Sequence, residues 1–198
     1  MHMFEKRCTT QHISVGGTPA SGKSTNAKGV AAELGFTHRS GGDLMRSIGA
    51  RRGLDILETN RAAASDPTFD QEVDAEIARI GTVERGVVID SRMAWHFIPG
   101  SLRIFLHVPF DVAAERIIGN MTEDRRRTEN IPDNLEEYAE QLAERQSLEE
   151  ERYVATYDVN PFDLKNYDLV IQTNGAISVA AAQLIVVEAF RDLHKTSN

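Results

Sequence analysis

The sequence predicts an α/β protein built on a doubly wound parallel sheet. Three observations carry that prediction. Short, nearly continuous apolar runs, the mark of strands covered on both faces, recur as Gly86–Asp90 (GVVID), Leu102–Val108 (LRIFLHV) and Asp168–Gln172 (DLVIQ). Segments of helical apolar spacing separate them, and strands alternating with helices pack side by side in parallel. No internal repeat or low-complexity linker interrupts the 198 residues, a length suited to one α/β domain spanning 1–198.

Each element follows from its residues. His12–Val15 is a first short strand, closed by Gly16-Gly17. Lys23–Leu34 carries Ala27, Val30, Ala31 and Leu34 on one side, with Gly35 as its stop. Phe36–His38 is a short second strand, and Gly42–Arg51 is helical. Leu54–Ala64 and Phe69–Ile80 are two further helices, the second opened by Asp66-Pro67 in cap and first-turn positions. Pro109 starts a helix that runs to about Met121 after the Leu102–Val108 strand. Thr122–Asn134 (TEDRRRTENIPDN) is polar and charged and reads as an exposed mobile loop. Leu135–Tyr157 is a long polar helix, and Ile177–Leu193 is the last helix.

Charge and composition narrow the function. A net charge of -8 disfavours general nucleic-acid or membrane-surface binding, which needs a basic face. Of the 22 basic residues 17 are arginine, a planar fork suited to phosphate, although GC-rich codon usage gives the same bias. Cys8 is the only cysteine, so neither an intrachain disulfide nor a cysteine zinc site is expected. Residues 1–12 lack a signal-peptide apolar core and no run approaches the ~20 residues of a membrane span, so the expected address is the cytoplasm. The six histidines show no metal-ligand spacing, and Trp95, three residues beyond Arg92, reads as core packing or else as a neighbour of the acceptor pocket.

Gly17-Thr18-Pro19-Ala20-Ser21-Gly22-Lys23-Ser24 fits G-x-x-x-x-G-K-[ST] without departure, between a strand and a helix. Glycines let the backbone wrap so that successive N–H groups face phosphate oxygens, and the helix N-terminus favours an anion. Lys23 reaches the β- and γ-phosphates, Ser24 offers a hydroxyl to Mg²⁺, and Thr25 adds a contact nearby. This is a P-loop for a nucleoside triphosphate. An Asn-Lys-x-Asp base reader is lacking, and Asp90-Ser91-Arg92-Met93 stands where a switch GTPase needs Asp-x-x-Gly. The chain is short for a motor or an AAA-type ATPase, which leaves a small kinase with ATP and a phosphate acceptor.

The acceptor side should carry its own cations. Arg46 follows the second strand, and Arg92 sits just past a strand end at the ligand crevice of a doubly wound sheet. Asp90 suits a Mg²⁺-bound water, as a Walker-B carboxylate does, or a turn cap. The run Arg125-Arg126-Arg127 lies in the mobile loop, where a closing lid supplies charge and excludes water. Arg145, Glu149 and Arg152, at i, i+4 and i+7, share one helix face. Either Glu149 holds both arginines for phosphate, or the three form an ordinary surface ion-pair ladder.

Taken together, these segments resemble the cytidylate kinases, in particular the archaeal-type, cytidylate-kinase-like branch of the P-loop nucleoside monophosphate kinases. The resemblance covers about 12–175. It rests on GGTPASGKST, GFTHRSGGDLMR, DPTFDQEVD, GVVIDSR, LRIFLHVPFDVAAERI, RQSLEEERY and NYDLVIQTN, in that order. It implies a five-stranded P-loop sheet, an acceptor-binding helical insert over 40–82 and a short lid over 122–134. It implies Mg²⁺-ATP as donor and CMP or dCMP as acceptor. The sequence itself does not fix the oligomeric state, with a monomer slightly favoured. The acceptor-phosphate arginines fall on Arg46 and Arg92, and the lid and post-lid catalytic arginines on Arg127, Arg145 and Arg152. Ser40 would lie near the acceptor nucleotide. Asp70 and Asp74 are candidates to read the base or brace the insert, or else a solvated helix face. The chain departs from the family at Gly119-Asn120, where an arginine is common, at Leu148, where serine is usual, and at Lys23-Ser24, where many members have Thr-Thr.

Overall fold

In the computed structural model, which describes residues 11–122, 131–132 and 134–195, five strands form one parallel sheet. They are β1 (His12–Gly17), β2 (Thr37–Ser40), β3 (Val87–Asp90), β4 (Leu102–His107) and β5 (Leu169–Gln172), in the order β2-β3-β1-β4-β5. Val15 pairs with Asp90 and with Ile104, and Ser40 pairs with Asp90. The sheet thus brings the C-terminal ends of β1, β2 and β3 together, and β1 is the strand from which the chain departs to both sides. That is where open α/β sheets bind ligands.

The helices are α1 (Lys23–Leu34), α2 (Gly41–Arg51), α3 (Ile56–Ser65), α4 (Thr68–Val83), α5 (Ala94–Phe97), α6 (Phe110–Gly119), α7 (Leu135–Tyr157) and α8 (Val179–Lys195). Strand alternation divides the core. Ile13, Val15, Val88, Ile104 and Leu106 pack under α1 and α8 with Val30, Val186 and Phe190. Val87 and Ile89, one position out of step, pack on the other face with Ile48, Phe69, Val73 and Ile77 of α2 and α4. Trp95 is core, packed with Phe105 and Tyr167. A fourth cluster joins α6 to α7 through Ala113, Ala114, Tyr138 and Leu142. It fixes the long polar helix beside the sheet end.

The expected elements are present, with boundaries moved by local chemistry. Gly35 ends α1 at φ 67°, its amide on Ala32 O at 3.3 Å and that of Phe36 on Ala31 O at 2.8 Å. Phe36 therefore belongs to the cap and packs edge-on against Phe190, so β2 starts at Thr37 and extends to Ser40. Asp55 caps α3 in a reciprocal box with Glu58, which starts that helix at Ile56. Helix α4 continues to Val83, α6 stops at Gly119, and α5 is a single turn that the sequence did not announce. Helices α2 to α4 all stand between β2 and β3. Arg125, Arg126, Arg127 and Cys8 lie outside the described residues, as does most of 122–134. Among the described residues, no helix is long and apolar enough to cross a membrane.

Candidate active site

The loop that leaves β1 is held from its outer side. At Gly17, φ is 149° and an added Cβ would lie 2.2 Å from Leu106 O, so no side chain fits there. The Thr18 amide donates to Leu106 O at 3.1 Å, and its hydroxyl accepts from Val108 N at 3.0 Å. Arg116 donates to Ala20 O at 3.2 Å and also to Thr173 O, while the Thr173 hydroxyl donates to Ser21 O at 3.1 Å. Ala20 has φ 54°, a left-handed conformation that costs an alanine energy and persists only when its surroundings impose it. Gly22, at φ 83°, then opens α1, whose first-turn amides have no intrahelical acceptor. A loop with its Ala20 and Ser21 carbonyls tied outward and a helix N-terminus at its end forms an anion cradle.

Lys23 folds back over this cradle. Its Nζ donates to Gly17 O at 3.0 Å and Thr18 O at 2.8 Å. Burial, then the nearby Arg92 charge, pushes the ammonium down to about 7, against the opposing pull of Asp90 and Glu149. Next to it, the Ser24 hydroxyl donates to Asp90 Oδ2, and His38 Nε2 lies 3.0 Å from Asp90 Oδ1. Serine hydroxyl and carboxylate are hard oxygen donors of the kind Mg²⁺ takes along with phosphate oxygens and water. The donor chemistry fits that ion. Among the described residues, no cluster of three or more His, Cys, Asp and Glu side chains stands ready to cage a metal alone.

Opposite the cradle, four arginines and two carboxylates face the same space. From two residues past β3, Arg92 reaches α7, where Glu149 lies 2.7 Å from Arg92 Nε and 3.7 Å from Arg145 Nε. The Arg92 contact is an ion pair rather than an aligned hydrogen bond, since its Nε–H does not point at the carboxylate. Arg152 pairs with Asp70 of α4, and Tyr157 donates to Asp74, so two polar bridges join α4 to α7. Burial raises the Asp70 carboxyl, and it lifts Asp74 to about 6 in spite of the Tyr157 hydrogen bond. Arg46 pairs with Asp43 one turn earlier on α2 and projects to the rim. The resulting cleft, about 470 Å³, is lined by Lys23, Ser24, Ser40, Arg46, Asp70, Asp74, Asp90, Arg92, Arg145 and Arg152.

The profile of an AAA domain family matches residues 16–139. The cytidylate kinase of Methanothermobacter thermautotrophicus is 33% identical over 162 residues, which cover 82% of this chain and 94% of that protein. That of Haloarcula marismortui is 36% identical over 163 residues, covering 81% of this chain and 80% of that protein. The chain belongs to the cytidylate kinase family. It is an enzyme, a phosphotransferase of the nucleoside monophosphate kinase type. A solved shikimate kinase from Bacteroides thetaiotaomicron has a similar fold, with a TM-score of 0.63 at 14% identity over 91% of this chain and 98% of that one.

Nearly every residue singled out from the sequence of this cytidylate kinase family member lines the one cleft or its loop, Arg127 lying outside the described residues. Two expectations change. Glu149 does not hold Arg145 and Arg152 together. It pairs with Arg145 and Arg92, because β3 delivers Arg92 to it and Asp70 across the gap takes Arg152. The solvated-face reading of the two aspartates also fails, since Asp74 is only 7% exposed and Asp70 is half-buried. Sequence reasoning missed His38, Asn60, Tyr153 and Tyr157. The two tyrosines left a signal, an i, i+4 aromatic pair on an otherwise polar helix, and their rings stack at 6.2 Å. His38 left none.

Proposed function

We propose that this chain transfers the γ-phosphoryl group of Mg²⁺-ATP to CMP or dCMP, giving ADP and the diphosphate. The observation that carries the reading is the two-ended cleft: a P-loop at one end, and at the other a set of arginines with the carboxylates of half-buried Asp70 and buried Asp74 behind them. Gly17 to Thr25 hold the donor's β- and γ-phosphates, with Lys23 on their oxygens. Ser24 and Asp90 hold Mg²⁺ or its bound water, and the ion supplies charge neutralisation to the phosphates. Arg46 and Arg92 clamp the acceptor phosphate, one of whose oxygens attacks the γ-phosphorus in line as the bond to the β–γ bridging oxygen breaks. That oxygen is already anionic, so no general base is required. Arg145 and Arg152, with Arg127 from a lid over 122–134, stabilise the charge on the moving group.

Base choice follows from the carboxylates. Asp70 and Asp74 accept from the cytosine amino group, where uracil presents a carbonyl oxygen that repels them. Ser40 sits beside the acceptor sugar and phosphate. The chain acts as a single domain with its acceptor insert over 40–82, as a cytoplasmic monomer without nucleic-acid or membrane partners. The test is ADP release in a coupled assay with Mg²⁺-ATP across CMP, dCMP, UMP, AMP, GMP and dTMP. CMP or dCMP should lead clearly. A different leading acceptor overturns the base assignment and leaves the cradle standing.

A further inference from the structure

Asp90 is gripped on both oxygens, and only one grip belongs to the P-loop. Its Oδ2 accepts from Ser24, and its Oδ1 faces His38 Nε2 at 3.0 Å. A carboxylate only accepts, so Nε2 carries the hydrogen in this contact. The pair is enclosed, with the histidine side chain 16% and the aspartate side chain 4% exposed. The strands explain how they meet. His38 is paired with Val88 in the β2–β3 register, and Ser40 with Asp90. His38 and Asp90 are therefore diagonal neighbours on one face of the sheet, two positions apart along the strands. The imidazole is long enough to bring its far nitrogen across that diagonal.

We infer that His38 is a positioning residue for the nucleotide-bound metal: it fixes the plane of the Asp90 carboxylate so that the other oxygen keeps the Ser24 hydrogen. The consequence for Ser24 is direct. A hydroxyl has one hydrogen and two lone pairs. With the hydrogen delivered to Asp90, its lone pairs are left available to a cation. When the carboxylate turns, the hydrogen loses its acceptor and competes for the side a metal needs. The two contacts thus form a chain, His38 to Asp90 to Ser24, that sets the donor end of the cleft before substrate arrives. Partners of this kind, which touch the ligating groups rather than the ion, typically change metal affinity by about 10–100-fold.

The inference rests on the Mg²⁺-ATP half of the proposed function and is independent of the acceptor. The test is therefore made on donor binding alone. Mn²⁺ binding to the protein with a non-hydrolysable ATP analogue is read from the loss of the free-ion electron paramagnetic resonance signal. Affinity for the same analogue in EDTA is measured beside it. His38→Leu should weaken Mn²⁺ binding roughly 10-fold while the EDTA affinity stays within about two-fold. His38→Gln, whose amide nitrogen reaches nearly as far as Nε2, should restore the metal affinity. If His38→Leu fails to fold, His38→Asn serves, since its shorter amide falls short of Oδ1 and should lose the metal as Leu does. Unchanged Mn²⁺ affinity in the folded variants overturns the inference. So does an equal loss in EDTA, which marks a role in strand packing, and so does failure of Gln to rescue. If no analogue binds even to the unaltered protein, the donor reading itself fails, an outcome separate from these.

Discussion

Replacing Asp74 by asparagine should stabilise the protein and impair it at once. The carboxyl is buried between α4 and α7, with Asp70 adding like charge, and its pKa is raised from the ordinary 3.8 to about 6. The unfolded chain releases this proton near 3.8, and the folded chain keeps it until about 6. Folding therefore carries no penalty from Asp74 below about pH 4, a growing one between pH 4 and 6, and a constant one above. A displacement of this size corresponds to ~3 kcal/mol above pH 6. Asparagine keeps an oxygen for the Tyr157 hydroxyl and removes the charge. Urea denaturation should show the variant more stable at pH 7.5 by up to ~3 kcal/mol, on the order of 10 °C in Tm for a chain of this size. The difference should close at pH 4. In the same variant kcat/KM for the acceptor should drop while ATP affinity holds, the trade-off expected where a strained group serves a site. A variant that is no more stable at pH 7.5, or whose advantage is the same at pH 4, would refute the reasoning.

The donor and acceptor ends give separable outcomes. Because Lys23 titrates at about 7, ATP affinity in EDTA should fall ~10-fold per pH unit from 7.5 to 9, with one proton taken up on binding, as calorimetry in buffers of different ionisation enthalpy reads. Lys23→Met should bind weakly and without that slope. Arg92→Ala should lower acceptor kcat/KM ~10²-fold, the worth of one or two charge-assisted hydrogen bonds, and leave ATP affinity within about two-fold. Equal loss at both ends contradicts its place on the acceptor. Gly17→Ala puts a Cβ 2.2 Å from Leu106 O and 2.9 Å from Ser21 Oγ, so it should cost about 1–3 kcal/mol in urea denaturation and abolish ATP binding.

Much of the cleft was legible because its parts are short and local. The loop 17–25 is one contiguous motif whose spacing states its geometry, and Asp90 ends and Arg92 follows an apolar strand whose end must reach the crevice. The partners of these groups were not legible, because they depend on where elements cross. Glu149 meets Arg92 only because the fold brings α7 within reach of the segment just past β3. Asp74 is buried because α4 turns its apolar stripe of Phe69, Val73 and Ile77 to the sheet and brings the adjacent position against Tyr157. Ala20 reads as an ordinary loop residue, and its left-handed backbone follows from packing next to Arg116 and Thr173 rather than from its own preference. His38 reads as one residue of a short polar strand until the β2–β3 register places it beside Asp90.

The arginine-and-carboxylate end of the cleft should select a cytosine monophosphate, and competition between acceptors tests that selection. Equimolar CMP, dCMP, UMP, AMP and GMP are offered together with limiting Mg²⁺-ATP, and the diphosphates are resolved by chromatography. CDP or dCDP should form almost alone. A mixture of diphosphates, or one led by UDP, ADP or GDP, would contradict it.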